Sequence, residues 1–209
     1  MKIKRFPLGT LWTNCYLISD KNGNAFAVDP GGPTKEVEDY IKANNIKLRA
    51  VLLTHGHADH IGGVEKLRAL TDMGVLIHEE DADWITKPTS NLSKYMGEEI
   101  TLSPADRVLH DGDRVKIGDM TLDIIHTPGH TPGGICILVS EGNDKVLISG
   151  DTLFARSIGR CDLPGGDEDT LLNSLTKLES LPDELSVLPG HGPDTTIGAE
   201  KRYNPFWPR

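Results

Sequence analysis

Cysteine is scarce and scattered. Cys15, Cys136 and Cys161 are an odd number with no C-x-x-C pair, which excludes a disulfide framework and a zinc ribbon and suits a reducing compartment. No apolar run approaches the roughly 18 residues that a membrane helix needs. Lys2, Lys4 and Arg5 open the chain, but Pro7, Gly9, Thr10 and Asn14 interrupt any signal-peptide core. A cytoplasmic location with no membrane partner is therefore expected. Positive charge is in deficit too: 22 Lys and Arg stand against 31 Asp and Glu, a formal net charge of −9. Such a balance argues against a nucleic-acid partner. With no linker and no low-complexity tract in 209 residues, one domain over 1–209 is the expected organisation.

What is present is a regular alternation of short β-type runs and turn signals. Residues 3–6, 15–19 and 25–29 read as strands, with Asn22-Gly23 as a hairpin turn between the last two. Asp29-Pro30-Gly31-Gly32 forces a turn, and Val37, Tyr40, Ile41 and Asn44 mark a helix opened by Pro33-Thr34. Residues 48–54 form a short apolar run of buried-strand type, followed by a helix over 64–70 and a strand over 75–77. Beyond a polar insertion at about 87–104, strands are expected over 114–117, 120–126, 134–139 and 146–149, then a helix from near Asp169 and a last strand at Val187-Leu188. Strands and helices in both halves predict an α/β sandwich with antiparallel or mixed sheets.

The chemistry is concentrated in Thr54-His55-Gly56-His57-Ala58-Asp59-His60. In an extended loop, positions i and i+2 project to one side, so His55 and His57 can grip one cation together. Asp59 and His60 follow as the chain turns toward Gly62-Gly63, which aims them at a neighbouring position. Imidazole and carboxylate at this density suit zinc or iron and fit calcium or magnesium poorly. Three later residues sit at strand ends beside glycine: His130 in Thr127-Pro128-Gly129-His130, Asp151 in Ser149-Gly150-Asp151, and His191 in Pro189-Gly190-His191-Gly192.

This order of residues resembles the metallo-β-lactamase-fold hydrolases, and most closely the short bacterial forms of hydroxyacylglutathione hydrolase (glyoxalase II). The resemblance implies an αββα four-layer sandwich with a two-metal site along one edge. Carried over by position, His55, His57 and His130 hold the first metal, Asp59, His60 and His191 the second, and Asp151 bridges both. The implied cofactors are two divalent ions, with zinc expected and iron or manganese acceptable to the same ligands. Two such cations, partly offset by Asp59 and Asp151, lower the pKa of water to about 7 and stabilise an oxyanion. Asp59 is then the catalytic carboxylate, and a thiol with a reference pKa of about 8.5 leaves without a strong acid. The implied function is hydrolysis of a small acyl thioester, with that small molecule as the partner.

In that family the loop at Ser157-Ile158-Gly159-Arg160-Cys161-Asp162 contacts substrate, which assigns Arg160 to substrate binding, with an internal salt bridge to Asp162 as its other reading. The family's aromatic two positions beyond the basic residue is Asp162 here, and the chain stops a short way past His191. Both departures predict weaker binding of glutathione thioesters than in the longer enzymes. The alternative function is a mononuclear iron persulfide dioxygenase of the same fold, whose Gly-Arg-x-Asp loop matches Gly159, Arg160 and Asp162. Its final histidine stands in an Ala-His-Asp-Tyr context, unlike Pro189-Gly190-His191-Gly192.

Overall fold

The computed structural model describes residues 1–208. The first half contributes β1 (Lys2–Leu8), β2 (Thr13–Ser19), β3 (Asn24–Val28), β4 (Lys47–Leu52), β5 (Val75–His78) and β6 (Arg107–Leu109), side by side in chain order. The first three are antiparallel, and β3 to β6 run parallel. The second half contributes β7 (Arg114–Ile117), β8 (Met120–His126), β9 (Ile135–Glu141), β10 (Asp144–Gly150), β13 (Ser186–Pro189) and β14 (Thr195–Thr196), in the spatial order β14-β13-β10-β9-β8-β7. Only the β10–β13 pairing in that sheet is parallel. A small hairpin, β11 (Leu153–Phe154) and β12 (Ser157–Ile158), stands apart.

Strand alternation creates the layers. In β2 and β3, Tyr16, Ile18, Phe26 and Val28 point to one face, where they meet Val115, Leu122, Ile137, Ile148 and Leu188 of the opposing sheet. The alternate residues Cys15, Leu17, Ala25 and Ala27 pack outward against Val37 and Ile41 of α1 (Lys35–Ala43) and Val64 and Leu67 of α3 (Val64–Arg68). On the far side, Cys136, Leu147 and Val187 meet Leu175 of α5 (Glu168–Thr176), Leu178 just past it, and Ile197 of α6 (Ile197–Tyr203). Three apolar layers separate helix, sheet, sheet and helix, which is the expected αββα sandwich.

Both sheets are mixed, as the turn pattern predicts. The structure adds elements with no periodic signal: β6, the β11–β12 hairpin, β14, α6, and two single-turn helices, α2 (Ala58–Ile61) and α4 (Glu79–Ala82). The polar stretch at 87–104 is held by side-chain bonds instead of an apolar stripe. Asn91, fully buried, donates from Nδ2 to the Ile100 carbonyl and accepts the Ser93 N–H at Oδ1.

One buried carboxylate fastens the turns at the edge away from the strand ends discussed below. Asp20 accepts the backbone N–H groups of Asn22 and Asn24 at 2.8 Å and of Asp119 at 3.0 Å, together with Asn24 Nδ2 at 3.0 Å. Burial pushes its carboxyl up, but these donors outweigh burial and hold the pKa below its ordinary value. A depressed native pKa stabilises the fold above the unfolded value of about 3.9, and that stability is lost as pH falls through the native value. Asp20→Ala is expected to lower stability by about 2–3 kcal/mol at pH 7. The deficit relative to the parent should shrink below about pH 4. Urea unfolding at pH 7 and pH 3 measures it, and an equal deficit at both would contradict the assignment.

Candidate metal centre

Strand direction gathers the polar side chains at one edge. The parallel strands β3, β4 and β5 all end there, and their C-terminal ends lead into Asp29, the His55 loop and the segment 78–81. In the other sheet β8, β10 and β13 share one direction and lead into His130, Asp151 and His191. Loops after the C-terminal ends of parallel strands are where open sheets place ligands. Close approach of the two sheets' loops needs glycine: a Cβ on Gly190 would lie 2.2 Å from Asp151 Oδ1 and 2.9 Å from His60 Cε1.

All seven predicted ligands converge. His55, His57 and His130 present ligand atoms within 4.8 Å of one another, as do Asp59, His60 and His191, and as do His55, His60 and Asp151. His57 Nδ1 lies 3.0 Å from His130 Nε2. His191 Nε2 lies 3.2 Å, and His60 Nε2 3.5 Å, from Asp59 Oδ2. Asp151 stands between the sets, with Oδ1 3.4 Å from His60 Nε2 and Oδ2 3.6 Å from both His130 Nε2 and His191 Nε2.

The outward ring nitrogens are anchored, and the anchors assign the tautomers. His60 Nδ1 donates to Asp29 Oδ2 at 3.0 Å, His130 Nδ1 to the Arg160 carbonyl at 2.7 Å, and His191 Nδ1 to the Leu11 carbonyl at 3.2 Å. Thr54 Oγ1 gives its own proton to Asp29 Oδ2 at 2.6 Å, so His55 Nδ1 donates to Thr54 Oγ1 at 3.1 Å. Each of these rings therefore aims Nε2 inward. The arrangement matches metal-ligating histidines, whose second nitrogen donates to a carboxylate or carbonyl.

Two observations show that the cluster fits cations. His55 Nε2, His60 Nε2 and Asp151 Oδ1, which face the cluster, are buried without a hydrogen-bond partner, a cost that proteins seldom carry without a ligand. The charges also conflict. Burial, then His60 and His130, push His55 well below its ordinary pKa, and burial with His130 takes His57 down to about 3. Burial acts on His60 the same way, but Asp151, Asp59 and Asp29 outweigh it and raise that pKa to about 10. Burial likewise pushes Asp59 up, yet His60 and His191 hold it well below the carboxylate range, so it is ionised. The donor set of imidazole nitrogens and carboxylate oxygens suits an electropositive ion.

Two buried acids with no local sequence signal, Asp29 and Asp81, organise the cluster. The sequence marks Asp29 only as the end of a strand and the start of a turn. It has a backbone φ of 49°, and its Oδ1 accepts the Thr54 N–H at 2.8 Å while Oδ2 takes Thr54 Oγ1 and His60. Asp81, fully buried, accepts the Gly56 N–H at 2.8 Å and the Gly133 N–H at 2.7 Å, tying the His55–His57 loop to the loop after His130. His78, His110 and His126 stay outside the cluster; His78 and His126 stack with ring centroids 3.9 Å apart.

A cleft of about 730 Å³ opens beside the cluster and is lined in part by His57, Asp59, Asp151 and His191. Arg160 reaches its rim, and its guanidinium donates from Nε and NH2 to Asp162 Oδ1 and Oδ2 at 2.7 and 2.8 Å. The cysteines offer no nucleophile: burial raises Cys15 and Cys161, and takes Cys136 to about 11. Among the described residues, no helix is long and apolar enough to cross a membrane.

Residues 9–191 match the family model described as the metallo-beta-lactamase superfamily. The chain is 40% identical over 209 residues to YqgX of Bacillus subtilis, a probable metallo-hydrolase, covering 99% of this chain and 97% of that one. It is 38% identical over 211 residues to the hydroxyacylglutathione hydrolase GloC of Haemophilus influenzae, covering 99% and 98%. Among solved structures, the BLEG-1 B3 metallo-beta-lactamase superposes with a TM-score of 0.92 at 39% identity, over 98% of this chain and 99% of that one. TTHA1623, solved in a di-iron-bound form, superposes with a TM-score of 0.85 at 36% identity, over 97% and 99%.

Proposed function

Since the chain belongs to the metallo-β-lactamase superfamily, we propose that it is a dinuclear metal-dependent hydrolase cleaving small acyl thioesters. The observation that carries the proposal is the convergence of seven candidate ligand side chains, three with unpartnered buried atoms aimed at the cluster, beside a cleft whose described lining holds no cysteine. In this reading His55, His57 and His130 hold one divalent ion, Asp59, His60 and His191 the other, and Asp151 lies between them. Zinc is the expected metal, and iron, present in the TTHA1623 neighbour, suits the same donors. Such ions supply a water of pKa about 7 and polarise a carbonyl oxygen.

The chain's own residues set the rest of the chemistry. Asp59, ionised and fixed by His191 and by a 3.3 Å hydrogen bond from Thr13 Oγ1, would hold one ion and orient the attacking water by accepting a hydrogen bond from it. A carboxylate bound to a cation stays ionised and is a poor acid, which favours a leaving group that departs as an anion. A thiolate does so with little help; an amine does not. That contrast, with the similarity to GloC, supports thioesters over β-lactams.

The test is release of free thiol from acyl thioesters by protein loaded with zinc, iron or manganese. A chromogenic cephalosporin and oxygen uptake with glutathione persulfide run alongside. Oxygen consumption without thiol release would overturn the hydrolase reading in favour of the dioxygenase, and cephalosporin turnover alone would favour a lactamase. Arg160→Ala is expected to raise KM a few-fold, through loss of the apolar stem that borders the cleft, and to leave kcat within about two-fold. Its carbonyl, which anchors His130, survives the substitution, and only the rim side chain is lost. A fall in kcat without change in KM would contradict that split.

A further inference from the structure

The wall of the cleft is apolar where it leaves the ligands. Leu11, Leu92, Tyr95, Phe154, Ile158 and Leu163 form most of it. Among the described lining residues Arg160 is the one Lys or Arg, and its fork is closed on both oxygens of Asp162. A thiol carrier bearing several carboxylates therefore meets no unanswered cation on this wall, in a chain whose net charge is −9.

A second observation concerns Leu92. It stands at φ 70°, a left-handed conformation that leucine disfavours and asparagine tolerates. The fold imposes it: Asn91 is fixed by Ile100 and Ser93, and its carbonyl accepts the Ala58 N–H at 2.8 Å, at the start of the turn carrying Asp59 and His60. Backbone strain is thus used to hold an apolar side chain against the cleft, in fixed register with the ligands.

We infer that the preferred substrates are uncharged thioesters with an extended hydrocarbon acyl chain, and that glutathione thioesters are disfavoured. The inference rests on the thioester reading above. Each methylene moved from water onto an apolar wall favours binding by up to about four-fold.

The test uses the metal-loaded full chain with acetyl, butanoyl, hexanoyl and octanoyl thioesters of N-acetylcysteamine, and with S-lactoylglutathione. The expected kcat/KM rises by up to about four-fold per methylene until the cleft is filled. The hexanoyl ester should exceed the glutathione ester by about ten-fold or more, several methylenes' worth at that increment. Asp162→Ala, which frees the Arg160 charge, is expected to narrow that ratio in a salt-sensitive way. Leu92→Asn is expected to melt no lower than the parent while flattening the chain-length series. Calorimetric binding of the matching uncleavable alkyl thioethers reads the same preference without turnover. A flat series in both turnover and binding, or a faster glutathione ester, overturns the inference and leaves the thioester reading standing. Chain-length-dependent thioether binding with no thiol released from any ester supports the apolar specificity and overturns the thioester reading instead.

Discussion

Asp151→Ala is expected to damage the protein's activity more than loss of any single histidine of the centre. Its two oxygens face different ligand sets, Oδ1 toward His60 and Oδ2 toward His130 and His191. Removing it takes a ligand from both proposed ions and leaves two divalent charges less shielded from each other. The expected result is at most one metal per chain and a fall in kcat/KM of about 10³-fold or more, beyond the 10–100-fold typical of changes behind the ligands. His57→Ala and His60→Ala should each lose one ion, and not the same one, because the loop assigns neighbours to separate groups. Elemental analysis with turnover on one thioester reads all three variants. An Asp151→Ala protein with two metals and near-normal turnover would exclude the bridging role, and one metal in the fully active parent would exclude the dinuclear reading.

Asp29→Ala is expected to have the largest effect on stability and a marked effect on metal binding, although Asp29 is not among the proposed ligands. Its carboxylate, 1% exposed, satisfies the Thr54 N–H, the Thr54 hydroxyl and His60 Nδ1 together. Alanine leaves those donors buried and unpaired, at a cost of about 3–5 kcal/mol. It also puts a Cβ-only side chain at a φ of 49°, where aspartate is tolerated better than alanine. With Nδ1 no longer held, His60 can rotate and change tautomer, and affinity at the ion it shares with Asp59 and His191 should fall about 10–100-fold. Denaturant unfolding of the metal-free protein and zinc titration by calorimetry separate the two effects. Asp29→Asn, which keeps the shape and the Thr54 N–H bond, should recover part of the stability but little of the affinity. Unchanged zinc affinity in Asp29→Ala would show that His60 does not depend on this anchor.

The clustered histidines and aspartates were readable in the sequence and their supports were not, for a physical reason. His55, His57, Asp59 and His60 lie in one short loop after a buried strand, where spacing alone declares a shared target. His130, Asp151 and His191 announce themselves through glycine neighbours at strand ends, and the family resemblance joined them to the first group. Asp29 and Asp81 act by accepting backbone amides 25 to 52 positions away, and no local pattern marks such a bond. The same holds for the stretch at 87–104, whose order comes from Asn91, and for β6, a three-residue parallel edge strand with two exposed residues. The larger strands and helices carry apolar alternation or a helical stripe, so their places followed from composition. For Arg160, substrate contact and a pair with Asp162 were both open from sequence; the fork-to-fork pair is formed, and the side chain still borders the cleft.

Because His55, His57, Asp59 and His60 hang from one sheet and His130, Asp151 and His191 from the other, ions held between them would stitch the two sheets at their shared edge. A ligand that binds only the folded chain adds RT ln(1 + [L]/Kd) to its stability, about 2.7 kcal/mol at a hundredfold excess over Kd. Metal supply would then govern more than turnover. A starved cell would hold a larger unfolded fraction of this protein, exposed to proteolysis, so its abundance would follow the availability of the ion it uses.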